Sequence, residues 1–294
     1  MHKSGLISKI QRFSLGDGPG IRTTIFMQGC NLVCPWCHNP ETVPKKGAVL
    51  YYADRCTSCG KCIKVCPVQA IDDNHIINKS HCDYCGKCED ACLSNSIKVS
   101  GTRMTVDGVY TYIIEDMPYY VKSKGGITLS GGEPLLQHEF CIEIAKKCFQ
   151  NKISVIVDTA GDVPFSTFEM LIPYVECFYF DVKTNKENYK KIGGDGKRIY
   201  SNLESLALKT KVVVRIPVIP GFNTENDDVD MIVKTISQMN ICEVQLLPFH
   251  RLGVGKYKAV GLDYSYADIE PGDDVDHFIN SFSIYDNIKC TVDG

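Results

Sequence analysis

The chain of 294 residues predicts an α/β fold: a parallel sheet with helices between its strands, interrupted once by a small cysteine-rich insert. Three observations predict it. Six runs rich in β-branched and aromatic residues begin near Ile21, Ile127, Ile153, Cys177, Lys211 and Glu243, and stretches of helical length alternate with the later ones, the pattern of βαβ units. Each run ends in polar or glycine-rich chemistry, as expected where the site lies beyond the carboxyl ends of parallel strands. Between the first two runs, eight of the sixteen cysteines fall into two copies of one spacing, 26 residues apart.

Composition narrows the function classes. With 32 basic and 35 acidic residues, nothing marks a nucleic-acid or membrane surface. No apolar run approaches the roughly 18 residues of a membrane span, and the amino terminus lacks a signal-peptide core, so a cytoplasmic protein is expected. Cytosolic thiols stay reduced, and the cysteines therefore read as metal or catalytic sites, in an oxygen-poor cell if they hold iron.

Taken in order, Leu6 to Phe13 alternate loosely and run into Asp17-Gly18-Pro19-Gly20, a turn by composition. Ile21 to Met27 reads as a buried strand. At its carboxyl end comes Cys30-Asn31-Leu32-Val33-Cys34-Pro35-Trp36-Cys37-His38. Three thiolates at these spacings suit a corner of a four-iron cluster, and leave one iron open. An open position is the habit of catalytic metal sites. The competing reading is a zinc knuckle with His38 as fourth ligand; its position directly after Cys37 is poor for that, since zinc ligands are normally two or more residues apart.

Cys56, Cys59, Cys62 and Cys66 repeat as Cys82, Cys85, Cys88 and Cys92. This is the bacterial two-cluster ferredoxin spacing, in which the fourth cysteine of each run serves the other run's cluster. The pairing predicted is Cys56, Cys59, Cys62 with Cys92, and Cys82, Cys85, Cys88 with Cys66. Pro67 follows the first run's last cysteine; Leu93 stands at the equivalent place in the second.

After Gly101 the strands and their ends follow: Ile127 to Ser130 into Gly131-Gly132-Glu133-Pro134 and a helix from Leu135 to Phe149; Ile153 to Val157 into Asp158-Thr159-Ala160-Gly161; Cys177 to Phe180 into Asp181-Val182-Lys183; Lys211 to Ile216 into Pro217; Glu243 to Leu247 into Pro248-Phe249-His250. Cys141, Cys148, Cys177, Cys242 and Cys290 have no mutual spacing that suggests a site and read as small apolar residues. The stretch after Tyr257 carries no motif beyond a closing helix or tail.

Jointly, Cys30-x3-Cys34-x2-Cys37 with an aromatic before its last cysteine, the Gly131-Gly132-Glu133 strand end, Asp17-Gly18-Pro19-Gly20-Ile21-Arg22 and Asp181-Val182-Lys183 resemble the radical S-adenosylmethionine superfamily, and within it the activating enzymes of glycyl radical enzymes. The pyruvate formate-lyase activating enzyme typifies them; the subgroup resembled carries an inserted two-cluster ferredoxin domain. The resemblance implies a partial (β/α)6 TIM-like barrel in residues 1–52 and 102–294, with an inserted ferredoxin-like α+β domain at 53–101. Six strands leave such a barrel open to a protein loop.

It also implies roles. Cys30, Cys34 and Cys37 hold the catalytic [4Fe-4S] cluster, whose fourth iron S-adenosylmethionine chelates. Gly131, Gly132 and Glu133 meet the methionine ammonium, Lys183 and Arg215 its carboxylate, beside Asp181. Trp36, Leu247 and His250 adjoin the adenosine, and Asp17 the incoming substrate loop. Asp158, Asp181 and the main-chain oxygens of Thr159 and Tyr179 match a monovalent-cation site. Three [4Fe-4S] clusters in all, a glycyl radical enzyme as protein substrate and a flavodoxin or ferredoxin as donor complete the expectation. The implied reaction is reductive cleavage of S-adenosylmethionine to methionine and a 5′-deoxyadenosyl radical that takes hydrogen from a partner glycine. A radical S-adenosylmethionine enzyme acting on a small molecule is the alternative, and a plain electron carrier leaves the three-cysteine loop unused.

Overall fold

The computed structural model describes residues 3–272 and 274–292. Among the described residues eleven strands form two sheets: β1 (Ser4–Ser14), β2 (Arg22–Met27), β3 (Ala48–Tyr51), β4 (Ile97–Ser100), β5 (Thr102–Thr105), β6 (Gly126–Gly131), β7 (Ser154–Thr159), β8 (Cys177–Asp181), β9 (Val212–Val218), β10 (Glu243–Pro248) and β11 (Lys289–Val292). The main sheet has nine strands in the order β11-β10-β9-β8-β7-β6-β2-β1-β5. All six predicted strands are present and run parallel.

Where the expectation counted six parallel strands there are seven, because β11 pairs parallel with β10. Its four residues are too few to display a period. On the other side β1 pairs antiparallel with β2 and β5, making the sheet mixed. The loose alternation of β1 has a cause: its register against β2 slips between Gln11 and Ser14, and Phe13 takes a left-handed φ of 58°. That bulge turns Ser14 onto Asp17.

Side chains alternate across each strand. On one face Ile25, Ile127, Leu129, Val155, Val157, Phe178, Phe180, Val214 and Leu246 join the main core, into which Phe140, Ile144, Leu203, Val229 and Phe278 of the surrounding helices pack. The other face carries Arg22, Thr128, Ser130, Asp158, Asp181 and Arg215. Arg22, 1% exposed, is satisfied there by Thr128 Oγ1 (2.8 Å), the Pro19 carbonyl (3.3 Å) and the Ile127 carbonyl. Burial lowers its pKa to about 10, which still leaves it charged at neutral pH.

The cysteine-rich insert has its own sheet, β3 antiparallel to β4, and its own core of Val49, Cys62, Ile71 and Ile97. The 26-residue repeat is written in its backbone: Ser58 and Tyr84, Gly60 and Gly86, and Gln69 and Asn95 all have positive φ. Gly60 and Gly86 begin the short helices Lys61–Val65 and Lys87–Asp90. The chain leaves and rejoins the main body where Gly47 meets Gly101; a Cβ on Gly101 would sit 2.7 Å from the Gly47 Cα. Helix Val254–Val260 braces insert and cysteine loop together. Leu50 packs on its Ala259 and Val260, Lys256 Nζ donates to Asn39 Oδ1 and Glu41 Oε1 (2.6 Å each), and the Tyr257 hydroxyl donates to the Pro35 carbonyl. No helix among the described residues is long and apolar enough to cross a membrane.

Candidate active site

A cavity of about 470 Å³ opens at the carboxyl ends of β2 and β6 to β10. Asp17, Cys30, Cys34, Trp36, Cys37, Gly131, Gly132, Asp158, Thr159, Asp181, Lys183, Arg215, Leu247 and His250 all line it. The residues predicted from separate strand ends are thus brought to one place. Phe26, Leu32, Ser130, Pro217, Ile219 and Phe249 line it as well and were missed. The available signal was positional, since each lies within a few residues of a predicted one.

The three thiols sit in a poorly solvated setting. Burial pushes Cys30 up to about 11 and Cys34 up to about 12, and raises Cys37. Burial works against the thiolate form, and a bound cationic centre would work for it. Backbone amides already point at the sulfurs: Leu32 N at Cys30 Sγ and Asn39 N at Cys37 Sγ, both 3.4 Å. Such N–H···S bonds are what tunes thiolate-ligated clusters. Among the described residues no three His, Cys, Asp or Glu side chains converge as ligands of a single ion. His38 is engaged elsewhere, its Nε2 3.1 Å from the His250 carbonyl oxygen and its ring stacked on His250 with centroids 3.7 Å apart.

Charge is paired across the strand ends. Lys183 Nζ donates to Asp181 Oδ2 at 2.8 Å; burial alone would lower this lysine, but the carboxylate outweighs it and holds the ammonium charged. Arg215 lies 3.6 Å from Asp158 Oδ2, to which Ser130 Oγ also donates at 2.8 Å. Burial, then the Asp181 charge, lifts Asp158 to about 6. One oxygen on each acid, Asp158 Oδ1 and Asp181 Oδ1, is buried with no hydrogen-bond partner. The Tyr179 ring is on the same face, 5.4 Å from the Arg215 guanidinium.

Gly131 has φ +121°, and a Cβ there would lie 2.2 Å from Met27 N, so only glycine lets β6 end against β2. Glu133 is placed otherwise than expected. Its carboxylate is fully buried and does not line the cavity; it accepts from Leu135 N (3.0 Å), Thr159 Oγ1 (2.8 Å) and Ala160 N (2.9 Å). It therefore fixes the loop after β7 and has no oxygen turned to a ligand. Trp36 lines the cavity yet is 4% exposed, packed on Phe222 at 4.3 Å and Tyr266 at 6.0 Å. Asp17 Oδ2 accepts from Ser14 Oγ and Thr24 Oγ1 (2.6 Å), and its carbonyl from Thr128 Oγ1 (2.7 Å), which fixes the turn at the cavity wall.

Two smaller cavities lie in the insert. One is lined by Cys56, Cys59, Cys62 and Cys92, the other by Cys66, Cys82, Cys85 and Cys88. The fourth cysteine of each run does cross to the other run's cavity. Ala70 N points at Cys66 Sγ (3.2 Å) and Ser96 N at Cys92 Sγ (3.3 Å), equivalent bonds in the two copies.

Residues 49–72 match the family described as 4Fe-4S binding domain. Over most of its length the chain is similar to activating enzymes. It is 38% identical to the isethionate sulfite-lyase activating enzyme of Oleidesulfovibrio alaskensis, across 86% of each chain. It is 39% identical to the benzylsuccinate synthase activating enzyme of Thauera aromatica, across 90% of this chain and 84% of that one. Identity to the indoleacetate decarboxylase activating enzyme of Tractidigestivibacter scatoligenes is 33%, across 98% and 96%. A radical SAM methyltransferase from Sphaerobacter thermophilus shares the fold, with a TM-score of 0.53 at 12% identity over 97% of this chain and 76% of that chain.

Proposed function

The chain belongs to the activating enzymes of glycyl radical enzymes, in the radical S-adenosylmethionine superfamily, and we propose that the cavity at the strand ends is where it makes its radical. It is an oxidoreductase whose protein substrate is a glycyl radical enzyme. When bound, a four-iron cluster and S-adenosylmethionine supply the one-electron chemistry, ending in a 5′-deoxyadenosyl radical that takes hydrogen from the partner's glycine.

The observation that carries the site assignment is the gathering of Cys30, Cys34 and Cys37 with Gly131, Lys183 and Arg215 around one cavity. The three sulfurs hold the cluster and leave its fourth position for the cosubstrate. The Gly131-Gly132 backbone approaches the ammonium closely. Lys183, held charged by Asp181, meets the carboxylate together with Arg215. Trp36, Leu247 and His250 wall the adenosine, and Asp17 stands where the partner's loop arrives. The orphaned Asp158 Oδ1 and Asp181 Oδ1, with the main-chain oxygens of Thr159 and Tyr179, hold a monovalent cation.

Residues 1–52 and 102–294 make up a partial barrel, whose sheet is unpaired among the described residues between edges β11 and β5, and a protein loop enters there. Residues 53–101, to which β3 lends a strand, form a ferredoxin-like insert with two further clusters, fed by a flavodoxin or ferredoxin. The test mixes reconstituted protein, reductant and S-adenosylmethionine with candidate glycyl radical enzymes. A glycyl signal in electron paramagnetic resonance is the expected result; 5′-deoxyadenosine formed with no signal in any partner overturns the reading.

A further inference from the structure

One buried side chain ties together the two turns that follow β8 and β9. These strands pair as far as Asp181 and Arg215, and Val182 N still donates to the Arg215 carbonyl at 2.8 Å. There the ladder stops, and main-chain groups beyond it need other partners. For Lys183 both partners are side chains. Its N–H donates to the Tyr189 hydroxyl at 2.9 Å, which donates on to the Asp181 carbonyl at 3.4 Å. Its carbonyl accepts from Asn223 Nδ2 at 3.0 Å. Tyr189 and Asn223 are both fully buried.

Asn223 uses every donor and acceptor of its carboxamide. Oδ1 accepts from Ile219 N at 2.8 Å, and Nδ2 donates to the Pro217 carbonyl at 2.7 Å as well as to Lys183. The turn that carries it has closing bonds of its own: Phe222 N and Asn223 N donate to the Ile219 carbonyl at 3.0 and 3.3 Å, and Gly221 N to Thr224 Oγ1 at 3.1 Å. Phe222 braces the same turn on Trp36, with ring centroids 4.3 Å apart. The bond to Lys183 leaves the turn and reaches back 40 residues. What it fixes is the place of Lys183 relative to a braced neighbour.

A lysine is a point charge on a flexible stem, so the reach of its ammonium depends on how its backbone is held. Here both main-chain groups are fastened and Nζ rests on Asp181 Oδ2 at 2.8 Å, an arrangement set before any ligand arrives. Preorganisation of this kind lowers the cost of ordering on binding. We propose that Asn223 is a positioning residue for S-adenosylmethionine: it anchors the Lys183 carbonyl to the turn after β9 and so holds the ammonium where the methionine carboxylate arrives. Tyr189 holds the other side of the same residue. The proposal rests on the reading of the cavity as the S-adenosylmethionine site, and no bond is made or broken in it.

The test measures S-adenosylmethionine binding to the reconstituted holoprotein by calorimetry. Asn223→Ala is expected to raise the dissociation constant about tenfold and Tyr189→Phe several-fold, while Thr224→Ala, which removes the Gly221 bond of the same turn, leaves it unchanged. Each of the first two is then combined with Lys183→Gln. Acting through Lys183, Asn223→Ala and Tyr189→Phe should each cost less than about twofold once the lysine is gone. A merely structural role would not produce that coupling. Fully additive losses, or a loss in Thr224→Ala equal to that in Asn223→Ala, overturn the proposal. Urea unfolding and iron content are read on every variant; if Asn223→Ala does not fold, Tyr189→Phe, which removes one hydroxyl, decides through its own cycle with Lys183→Gln. The two failures are distinct: an unchanged constant in Lys183→Gln counts against the carboxylate assignment, whereas a loss in Lys183→Gln with an unchanged constant in loaded Asn223→Ala counts against the positioning role alone.

Discussion

Glu133 Oε1 accepts a hydrogen bond from Thr159 Oγ1 at 2.8 Å, which ties the turn after β6 to the last residue of β7. Burial pushes this carboxyl from its ordinary 4.5 up to about 7, against the pull of its three donors. The folded chain then binds a proton between those values that the unfolded chain releases. The group's contribution is fully present below pH 4.5 and is lost as pH rises through 7, on the order of 3 kcal/mol. Glu133→Gln, uncharged at every pH, should lack that part of the slope and so gain stability relative to the parent as pH rises from 4.5 through 7. Urea unfolding of both proteins across this range checks it; parallel slopes would show that Glu133 is not the titrating group.

The cysteine assignments separate by position. Fully reconstituted protein should hold about 12 iron atoms per chain, from three four-iron clusters. Cys34→Ala should lose about four of them and make no 5′-deoxyadenosine. Cys59→Ala should still bind S-adenosylmethionine and be reduced slowly. Stoichiometric zinc with little sulfide, or undiminished turnover in Cys34→Ala, contradicts the assignment.

Lys183 lines the cavity and keeps its charge through Asp181. Lys183→Gln removes a charged hydrogen bond, a loss of roughly 1.5–3 kcal/mol, so the dissociation constant for S-adenosylmethionine should rise about 10- to 100-fold. Calorimetric titration measures this directly. An unchanged constant would place the carboxylate elsewhere in the cavity.

Asp158→Asn tests the cation site. If Asp158 Oδ1 and Asp181 Oδ1 face an ion, binding of S-adenosylmethionine by the parent protein should strengthen several-fold when potassium replaces a large organic cation. The variant should bind alike in both. Identical cation responses in the two proteins argue that the orphaned oxygens serve another purpose.

The parallel strands were legible because each places a long apolar run before charge or glycine, and Asp158, Asp181 and Arg215 announce a polar face by standing among valines and phenylalanines. The crossing of Cys66 and Cys92 was legible too, because spacing alone encodes it. What escaped depends on distant neighbours. β11 is strand only because β10 offers it an edge. The direction of the Glu133 carboxylate is set by Thr159 and Ala160, 26 and 27 residues away. Ser130 and Phe249 carry no motif and reach the cavity through the pleat and the turn that hold them.

Gly47 and Gly101 touch at the base of the insert. Such a joint makes the insert a pendant on a single stem: the segment between them could be excised and the chain resealed by a tight turn, without re-threading any strand of the main sheet. What such a cut uncovers is the flank of helix Val254–Val260 against which Leu50 rests, and the Ser8, Gln28 and Glu41 groups that Ser100 meets. Ancestry with and without the pendant, and transplantation of it into a chain that lacks one, become questions about covering Ala259 and Val260 and satisfying the buried Gln28 amide.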